Sequence, residues 1–487
     1  MRAERTRFAP SPTGMLHIGG LRTALYAYFL AKQTGGDFVL RIEDTDQSRA
    51  VEGGVENIVR TLDRVGIQAD EGFIWKDGRV TERGKFGPYL QSKRLAMYRA
   101  AADSLVQEGN AYHCFCSSER LAGVREKQQA EKRQPKYDRH CLELSKDAVH
   151  AELQKGTPFV IRLRVPEGET HWNDLIRGPV TFSNEEIDDQ VLLKSDGFPT
   201  YHLAVVVDDN AMNITTVVRG EEWISPTPKH LMLNAMLGYT PPQFAHVPLL
   251  LNADKHKLSK RQADVSVESY LDRGYLAQAL VNFVSTLGFN PRGDKEIYTI
   301  QELIEEFNLR KVKKSGAVVN FDKLDWMNRQ YIQSMDDKTL MEAVRPFISS
   351  IPEQSSRILS VERDRVTTLT DLAQALAEYP LAPVFSQPHI LIWKKSDGKT
   401  AIRMLERSAA FLSEECTATS VADLEHAMKE WIGREGFATG DVLWPLRVAL
   451  SGKEKSASPF EYIYILGKEE SMARIEHAIS ALKGNLS

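Results

Sequence analysis

Apolar and polar positions near the start of the chain predict a strand, a helix and a second strand. Residues 5–9 form a short run that favours a strand, and residues 21–32 place apolar side chains at helical spacing on one face. Residues 38–42 form the second strand, and an acidic quartet, residues 43–46, follows it directly. This βαβ pattern predicts a parallel sheet whose ligands would bind beyond the carboxyl ends of its strands.

The pattern changes near residue 114, where a polar helical stretch is followed by strand-like runs separated by turns. The expected elements are a helix over residues 119–136 and strands over residues 159–165 and 179–182. Alternating strand and helix character returns at residues 201–208 and 214–219. We therefore interpret the middle of the chain as an inserted domain, after which the first domain resumes.

After residue 328 the apolar positions recur mainly at helical spacing, as in residues 337–344, 366–378 and 421–432. We expect a separate helical domain there. The predicted domains are residues 1–110 for the first half of the sheet domain, 111–200 for the insertion, 201–328 for the second half and 329–487 for the helical domain.

Charge and composition limit the classes of protein to consider. The 487 residues contain 62 Lys and Arg against 66 Asp and Glu, which gives a net charge of −4. A chain so close to neutral has no overall field that would attract nucleic acid or an acidic membrane, so any such contact must be a local patch. With 42% hydrophobic and 26% charged residues, the composition is that of a globular protein.

Cysteine usage and hydropathy indicate the compartment. Four cysteines in a chain of this length exclude a disulfide scaffold and favour a reducing environment. Pro10 and Pro12 interrupt the region where an export signal would need an apolar run. Because no run of about 18 apolar residues occurs, we expect a cytoplasmic protein that does not enter a membrane.

Two segments carry residues suited to binding phosphate. His17, Gly19 and Gly20 open the first helix, where unpaired backbone N–H groups and the helix dipole favour an anion. Their spacing from Gly14 does not match the dinucleotide-binding fingerprint. Far downstream, residues 255–261 form a basic loop able to neutralise a polyphosphate. Taken alone, the first segment could be a turn with an incidental histidine, and the second a solvated charged surface.

Four segments, taken together and in order, resemble the signature motifs of bacterial-type class I glutamyl-tRNA synthetases. They are Arg7-Phe8-Ala9-Pro10-Ser11-Pro12-Thr13-Gly14, His17-Ile18-Gly19-Gly20, Arg41-Ile42-Glu43-Asp44-Thr45-Asp46 and Lys257-Leu258-Ser259-Lys260-Arg261. Gly20 stands where other class I synthetases usually carry a second histidine, and glycine there is common among the glutamyl enzymes. Residues 197–202 also resemble the family's return from the insertion to the sheet.

The resemblance implies an α/β Rossmann-like catalytic domain with an inserted α+β acceptor-binding domain, followed by an all-α anticodon-binding region. It implies a glutamate–tRNA ligase that uses ATP and Mg²⁺ to convert L-glutamate to glutamyl adenylate and then esterifies the 3′-terminal adenosine of tRNA-Glu. A monomer is the family's usual state. The alternative is a non-catalytic tRNA-binding or regulatory paralogue of the same fold, and intact His17, Glu43, Lys257 and Lys260 argue against it. Whether tRNA-Gln is also charged stays open.

The same resemblance assigns roles around ATP. The catalytic residues it implies are His17, Lys257 and Lys260, of which His17 holds ATP together with Gly19 and Gly20. Lys260, assisted by Lys257, would stabilise charge moving onto the departing pyrophosphate.

It also implies a glutamate pocket, which must pair two carboxylates and an ammonium group. The residues implied to line it are Arg7, Ser11, Glu43, Tyr201, Arg219 and Trp223. Arg219 would bind the side-chain carboxylate, and Glu43 the amino group. Val205 differs from those family members that carry Asn at this position.

One group of residues resembles a zinc site found in the acceptor-binding insertion of some members. The group is Cys114, Cys116, Tyr137 and Cys141. Three thiolates and one oxygen or nitrogen ligand would complete a tetrahedral structural site. Tyr137, His140 or Glu143 could be the fourth ligand, and the alternative is a set of free thiols.

Overall fold

A computed structural model describes residues 2–258, 266–291 and 293–486 of the chain, with side chains described as far as residue 484. The chain forms two compact units. The first comprises the residues up to Asp272 together with Ala277–Met327, and the second comprises Arg273–Leu276 together with the residues from Asn328 onward. The finer division into four domains stays a prediction. Within the described ranges, no helix is both long and apolar enough to cross a membrane.

The strands of the described residues all belong to the first unit. In chain order they are β1 (Thr6–Phe8), β2 (Phe38–Leu40), β3 (Glu71–Lys76), β4 (Arg79–Arg83), β5 (Ala111–Cys114), β6 (Val160–Leu163), β7 (Glu169–Asp174), β8 (Gly178–Ser183), β9 (Val191–Leu193), β10 (Thr216–Gly220), β11 (Gln243–Val247), β12 (Leu250–Leu251) and β13 (Ala317–Val318).

Helices occur in both units. In chain order they are α1 (Ile18–Gln33), α2 (Gly54–Arg64), α3 (Leu95–Gln107), α4 (Ser118–Ala130), α5 (Lys146–Gln154), α6 (Tyr201–Ala211), α7 (Thr227–Met236), α8 (Val267–Asp272), α9 (Ala277–Ser285), α10 (Ile300–Glu306), α11 (Phe321–Ser334), α12 (Asp337–Val344), α13 (Ser355–Glu362), α14 (Leu369–Glu378), α15 (Gly398–Glu414), α16 (Val421–Glu435), α17 (Thr439–Ser451) and α18 (Pro459–Leu486).

The central sheet of the first unit has the strand order β11, β10, β1, β2, β3, β4. Its pairings from β11 to β3 are parallel, as the βαβ pattern predicts. The edge strand β4 instead pairs antiparallel with β3, which the sequence did not indicate. The chain leaves β1 toward β2 on one side, and later returns to place β10 on the other. This reversal opens a crevice at the carboxyl ends of β1 and β10.

Helix α1 connects β1 to β2 and packs against the sheet. It begins at Ile18, earlier than the predicted residue 21, because the His17 side chain caps it by accepting a hydrogen bond from the Gly20 amide. Leu21, Leu25 and Phe29 lie on its inner face and are fully buried. The predicted apolar face is therefore confirmed, and burying it fixes where the helix N-terminus points.

The middle of the chain forms its own small sheets. Strands β5, β6 and β9 make an antiparallel three-stranded sheet, and β7 and β8 form a hairpin. One core cluster joins this sheet to the helices α3 and α6, with Leu105, Ile161, Leu163 and Leu203 completely buried. The insertion is thus anchored to the first unit through apolar packing.

In the described residues of the second unit, all regular elements are helices, as predicted. Helix α14 begins after Thr368, which exchanges capping hydrogen bonds with Asp371. Helix α16 ends at Glu435 and is capped by Gly436, whose positive φ of 72° suits the left-handed turn. Trp431 on α16 is buried and stacks on Phe411, with ring centroids 4.8 Å apart.

Candidate active site

A cavity of about 980 Å³ lies at the carboxyl ends of β1 and β10 and at the N-terminus of α1. It brings together all the predicted ATP and glutamate residues that the structure describes. These are Arg7, Ser11, His17, Gly19, Gly20, Glu43, Tyr201, Arg219, Trp223 and Lys257. Lys260 lies outside the described residues. Residues separated by more than half of the chain thus line one cavity, which has the size of a small-molecule site.

The N-terminus of α1 forms one end of this cavity. The Gly20 amide donates to Nδ1 of His17 at 3.1 Å, so a neutral His17 ring carries its proton on Nε2 and can donate it. A Cβ at position 19 would lie 3.0 Å from the His17 ring, and one at position 20 would lie 2.9 Å from Leu16. Glycine therefore leaves room for the ring at position 19 and for Leu16 at position 20, and it keeps the helix end open to an anion.

The loop after β1 is held by backbone hydrogen bonds. The carbonyl of Pro10 accepts from the Glu43 amide at 3.0 Å, and that of Pro12 accepts from the Val51 amide at 2.9 Å. A Cβ at Gly54 would lie only 2.8 Å from the Pro12 carbonyl oxygen, so glycine permits this close approach. Ser11 is fixed between these contacts on the cavity wall.

Arg219 lies at the end of β10 with 5% of its surface exposed. Its Nε donates to Nε2 of His246 at 3.0 Å, Nη1 donates to Nδ1 of His230 at 3.0 Å, and Nη2 donates to Oγ1 of Thr227 at 2.7 Å. The contacts of Nη1 with the Tyr201 hydroxyl and of Nη2 with the Trp223 carbonyl are longer, 3.5 and 3.4 Å.

Burial lowers the pKa of Arg219, and the nearby Tyr201 opposes this effect. No carboxylate in the described part of the chain forms an ion pair with this guanidinium, since all its hydrogen-bond partners are neutral. The two long contacts involve its terminal nitrogens, which could instead donate to both oxygens of a carboxylate. The arrangement suits an anionic group that enters from the cavity.

Sequence reasoning missed the residues that hold Arg219. Thr227, His230 and His246 are almost completely buried. None of them stands in a signature motif, so the sequence offered no signal that would separate them from structural residues. Their role becomes visible only through the contacts of Arg219.

The other side of the pocket is a compact group of buried charges. Arg41 is completely buried and donates to Glu43 at 3.0 Å and to Asp209 at 2.8 Å. Arg7 also contacts Asp209, with Nε 3.3 Å from the carboxylate. Burial raises the pKa of Glu43, and the charges of Arg41 and Arg7 oppose this rise without cancelling it. Asp209 was not foreseen, and Arg41 was named only as part of a motif, yet these two residues fix the predicted residues Arg7 and Glu43.

Three predicted zinc ligands converge in the insertion. The sulfurs of Cys114, Cys116 and Cys141 lie within 4.8 Å of one another. The Tyr137 hydroxyl lies 3.4 Å from both Cys114 Sγ and Cys116 Sγ. Tetrahedral Zn²⁺ with Zn–S bonds of about 2.3 Å needs ligand atoms spaced roughly this far apart, so the donor set fits zinc.

The other candidate fourth ligands are placed differently. His140 and Glu143 are exposed and do not join the three sulfurs, although both were open possibilities from the sequence. The Cys141 amide donates to the Tyr137 hydroxyl at 2.9 Å, which holds the phenol oxygen beside the thiols. Of the three candidates from the sequence, Tyr137 is thus the one whose side chain lies beside the thiols.

The fold and the cavity define the class of protein. Residues 4–326 match the sequence profile of the family described as tRNA synthetases class I (E and Q), catalytic domain, and residues 339–479 match an anticodon binding domain. The predicted fold class, a Rossmann-like catalytic region with an insertion followed by a helical anticodon-binding region, is confirmed.

Similar proteins narrow this class. The chain is 41% identical over 488 residues to the glutamate–tRNA ligase of Alkaliphilus metalliredigens, covering 98% of this chain and 99% of the relative. It is 42% identical to that of Clostridioides difficile, covering 97% and 98%. A crystal structure of a glutamate tRNA ligase from Elizabethkingia meningosepticum in complex with its amino acid superposes with a TM-score of 0.86 at 32% identity, over 99% of this chain and 100% of that one. The chain belongs to the glutamate–tRNA ligases, as the sequence motifs predicted.

Proposed function

We propose that this chain joins L-glutamate to ATP as glutamyl adenylate, and then transfers the glutamyl group to the 3′-terminal adenosine of tRNA-Glu. One observation carries the proposal: a single cavity contains both a helix N-terminus suited to an anion and a buried arginine that pairs with no carboxylate among the described residues. The first is suited to a polyphosphate and the second to the side chain of glutamate.

In the first step the α-carboxylate of glutamate attacks the α-phosphorus of ATP, and pyrophosphate leaves. The chain contributes positioning and charge rather than a covalent nucleophile. The backbone amides at the start of α1 and the Nε2–H of His17 would hold the phosphates. Lys257, and Lys260 by its place in the same motif, would stabilise the negative charge that develops on pyrophosphate. Mg²⁺, bound through the phosphates, would neutralise part of that charge.

Glutamate would lie between the two charged walls of the cavity. Its side-chain carboxylate would replace the long contacts of Arg219 with the Tyr201 hydroxyl and the Trp223 carbonyl. The rings of Tyr201 and Trp223, with centroids 4.1 Å apart, would form the wall of the cavity beside it. Its ammonium group would bind Glu43. In the second step a hydroxyl of the terminal ribose attacks the activated carbonyl, by family precedent the 2′-hydroxyl, and AMP leaves.

Two further roles complete the proposal. Cys114, Cys116, Tyr137 and Cys141 would hold a structural Zn²⁺ in the insertion, which would bind the tRNA acceptor end. The helical second unit would bind the anticodon region. Within the described residues none of the four cysteines forms a disulfide, which supports a reducing compartment such as the cytoplasm.

Charging of purified tRNA-Glu and tRNA-Gln in parallel, with labelled glutamate and ATP, tests the proposal. We expect glutamyl-tRNA-Glu, with one AMP formed per ester. Charging of tRNA-Gln as well would show that the same chemistry serves a second acceptor. Binding of tRNA without any ester or AMP would contradict the proposal and favour the non-catalytic alternative.

A further inference from the structure

A chain of buried polar groups extends from Arg219 into the protein in two directions. Toward β11 and β7, Nε of Arg219 donates to Nε2 of His246, and Nδ1 of His246 lies 2.5 Å from the Asp174 carboxylate. Toward α7 and α6, Nη1 donates to Nδ1 of His230, and a ring nitrogen of His230 lies 3.0 Å from one of His202. The side chains of Asp174 and His246 are completely buried. Apart from Arg219, none of the residues in this chain of contacts belongs to the predicted site.

The direction of each hydrogen bond follows from chemistry. A guanidinium only donates, so Nε2 of His246 and Nδ1 of His230 must both accept. The proton of His246 is then on Nδ1, where it is donated to Asp174. The proton of His230 is on Nε2, where it is donated to His202. Each histidine is therefore neutral and is restricted to one tautomer by its partners.

The environment keeps these rings uncharged. Burial lowers the pKa of His246, and the charge of Arg219 adds to this effect, although the hydrogen bond with Asp174 opposes it. Burial and the charge of Arg219 also lower the pKa of His230 well below its ordinary value. Two neutral acceptors beside Arg219 orient its guanidinium without neutralising it.

Asp174 is itself firmly anchored at the end of β7. One of its carboxylate oxygens accepts from the backbone amides of Ile176 at 3.0 Å and Arg177 at 2.9 Å. The other oxygen faces His246. The imidazole ring separates this carboxylate from Arg219, so Asp174 fixes the acceptor but does not pair with the arginine.

We propose that His246, anchored by Asp174, and His230 are positioning residues that orient Arg219 through uncharged contacts and leave its charge available to a substrate carboxylate. Selectivity for a carboxylate side chain over a neutral carboxamide would then depend on these histidines as well as on Arg219. The inference rests on the proposed role of Arg219 in binding glutamate.

Matched amide substitutions test this inference because the two histidines use different ring nitrogens. The amide of Gln reaches about as far as Nε2 of histidine, and that of Asn about as far as Nδ1. At position 246, where Nε2 contacts Arg219, His246→Gln should raise the KM for glutamate less than about threefold, and His246→Asn at least tenfold. At position 230, where Nδ1 makes the contact, the order should reverse, with His230→Asn the milder change.

The measurement is tRNA charging by the full chain, with the KM for ATP determined in parallel. We expect the KM for ATP to change less than twofold in all four variants. Asp189→Asn is the control, since Asp189 is an equally buried carboxylate of the insertion that binds Tyr112 and Arg139 rather than this network. It should leave the KM for glutamate unchanged.

The inference is supported if Gln is the milder substitution at position 246 and Asn the milder one at position 230. A purely structural role of the two histidines gives no reason for this preference to differ between the positions. The same preference at both positions, or a parallel rise in the KM for ATP, would overturn it. If one pair of variants does not fold, the other pair still shows whether the amide that reaches Arg219 is the milder change. Absence of charging by the unmodified chain would contradict the proposed function instead, so the two failures are distinguishable.

Discussion

Two lysines of the basic loop are expected to act on the phosphates, and Lys257 lies on the cavity wall. Lys260→Ala should slow charging about a hundredfold, or about 3 kcal/mol, because it removes a charge contact made chiefly in the transition state. The affinity for tRNA should barely change. Single-turnover charging and tRNA binding measure the two effects separately.

Lys255→Ala is the matched control, because this exposed lysine of the same loop does not line the cavity. It should leave the rate unchanged. Equal loss of rate in Lys255→Ala and Lys260→Ala would show that the loop acts through its overall positive charge rather than through a specific contact of Lys260. Weakened tRNA binding with an unchanged rate in Lys260→Ala would contradict its assigned role.

Three histidines, the buried His230 and His246 and the partly buried His202, should make the first unit sensitive to mild acid. Burial, with the charges of Lys229 and Arg219, lowers the pKa of His202 to about 4. The pKa values of the other two are also lowered. The unfolded chain therefore binds protons that the folded chain does not, once the pH falls below the unfolded value of about 6.5.

Stability from these histidines should be fully present above pH 6.5 and should decline as the pH falls toward 4. Each histidine contributes up to about 1.4 kcal/mol per pH unit in this window. Calorimetric melting of the chain and of His202→Gln between pH 7.5 and 5 checks this. The variant keeps polar groups but does not titrate, so its melting temperature should fall less steeply. Parallel pH profiles would contradict a lowered pKa for His202.

Some residues of the site could be predicted from the sequence, and others could not. His17 and Glu43 stand in signature motifs, Arg219 was implied by the family resemblance, and the structure brings all three to one cavity. His246 and Asp209 carry no such signal, because a buried polar residue resembles any other core position until its partner is known. An ion pair between residues far apart in sequence, such as Arg41 and Asp209, can be recognised only once the three-dimensional fold is known.

At the level of elements, the three cysteines and Tyr137 make the insertion dependent on metal if they bind zinc. The purified chain should contain about one equivalent of Zn²⁺. Chelation should increase hydrogen exchange in β5 and in the 3₁₀ turn His140–Glu143 before it affects the central sheet, because structural zinc contributes directly to local folding.

Two cysteine variants separate this site from ordinary thiols. Cys141→Ser should lose most of the bound metal. Cys416→Ser should retain it, since Cys416 does not belong to the metal-binding group. Absence of zinc in protein purified without a chelator would contradict the assignment, and equal retention in both variants would exclude Cys141 as a ligand.

The elements themselves were predictable to different degrees. Local patterns located α1 and three helices of the second unit, α12, α14 and α16, because apolar spacing is read directly from the sequence. The antiparallel edge strand β4 and the hairpin of β7 and β8 were not foreseen as paired strands, since pairing depends on distant register. The end of β7 nevertheless supplies Asp174, which contacts His246 behind Arg219.

At the level of the whole molecule, the two units should have separable roles. A tRNA-Glu with a substituted anticodon should lose kcat/KM for charging, because unstacked RNA bases are recognised by stacking and edge contacts that the second unit would supply. The KM values for glutamate and ATP should not change. Steady-state charging with the wild-type and substituted tRNA measures both.

The full chain is the right protein for this experiment. A chain shortened to end near Asn328 would be cut within α11, which extends from Phe321 to Ser334. The cut would also disturb Asn328, whose side-chain oxygen accepts a hydrogen bond from the Leu276 amide. Indifference of the full chain to the anticodon would show that the helical unit has another role.

The central claim is that an uncompensated buried arginine makes this cavity select glutamate. Its most direct test is kcat/KM for charging tRNA-Glu with glutamate and with glutamine, by the unmodified chain and by Arg219→Ala. We predict strong preference for glutamate in the unmodified chain. In Arg219→Ala, the value for glutamate should fall by about 30-fold to 4,000-fold, or roughly 2 to 5 kcal/mol, while that for glutamine changes much less. An unchanged ratio of the two values in the variant would contradict the account.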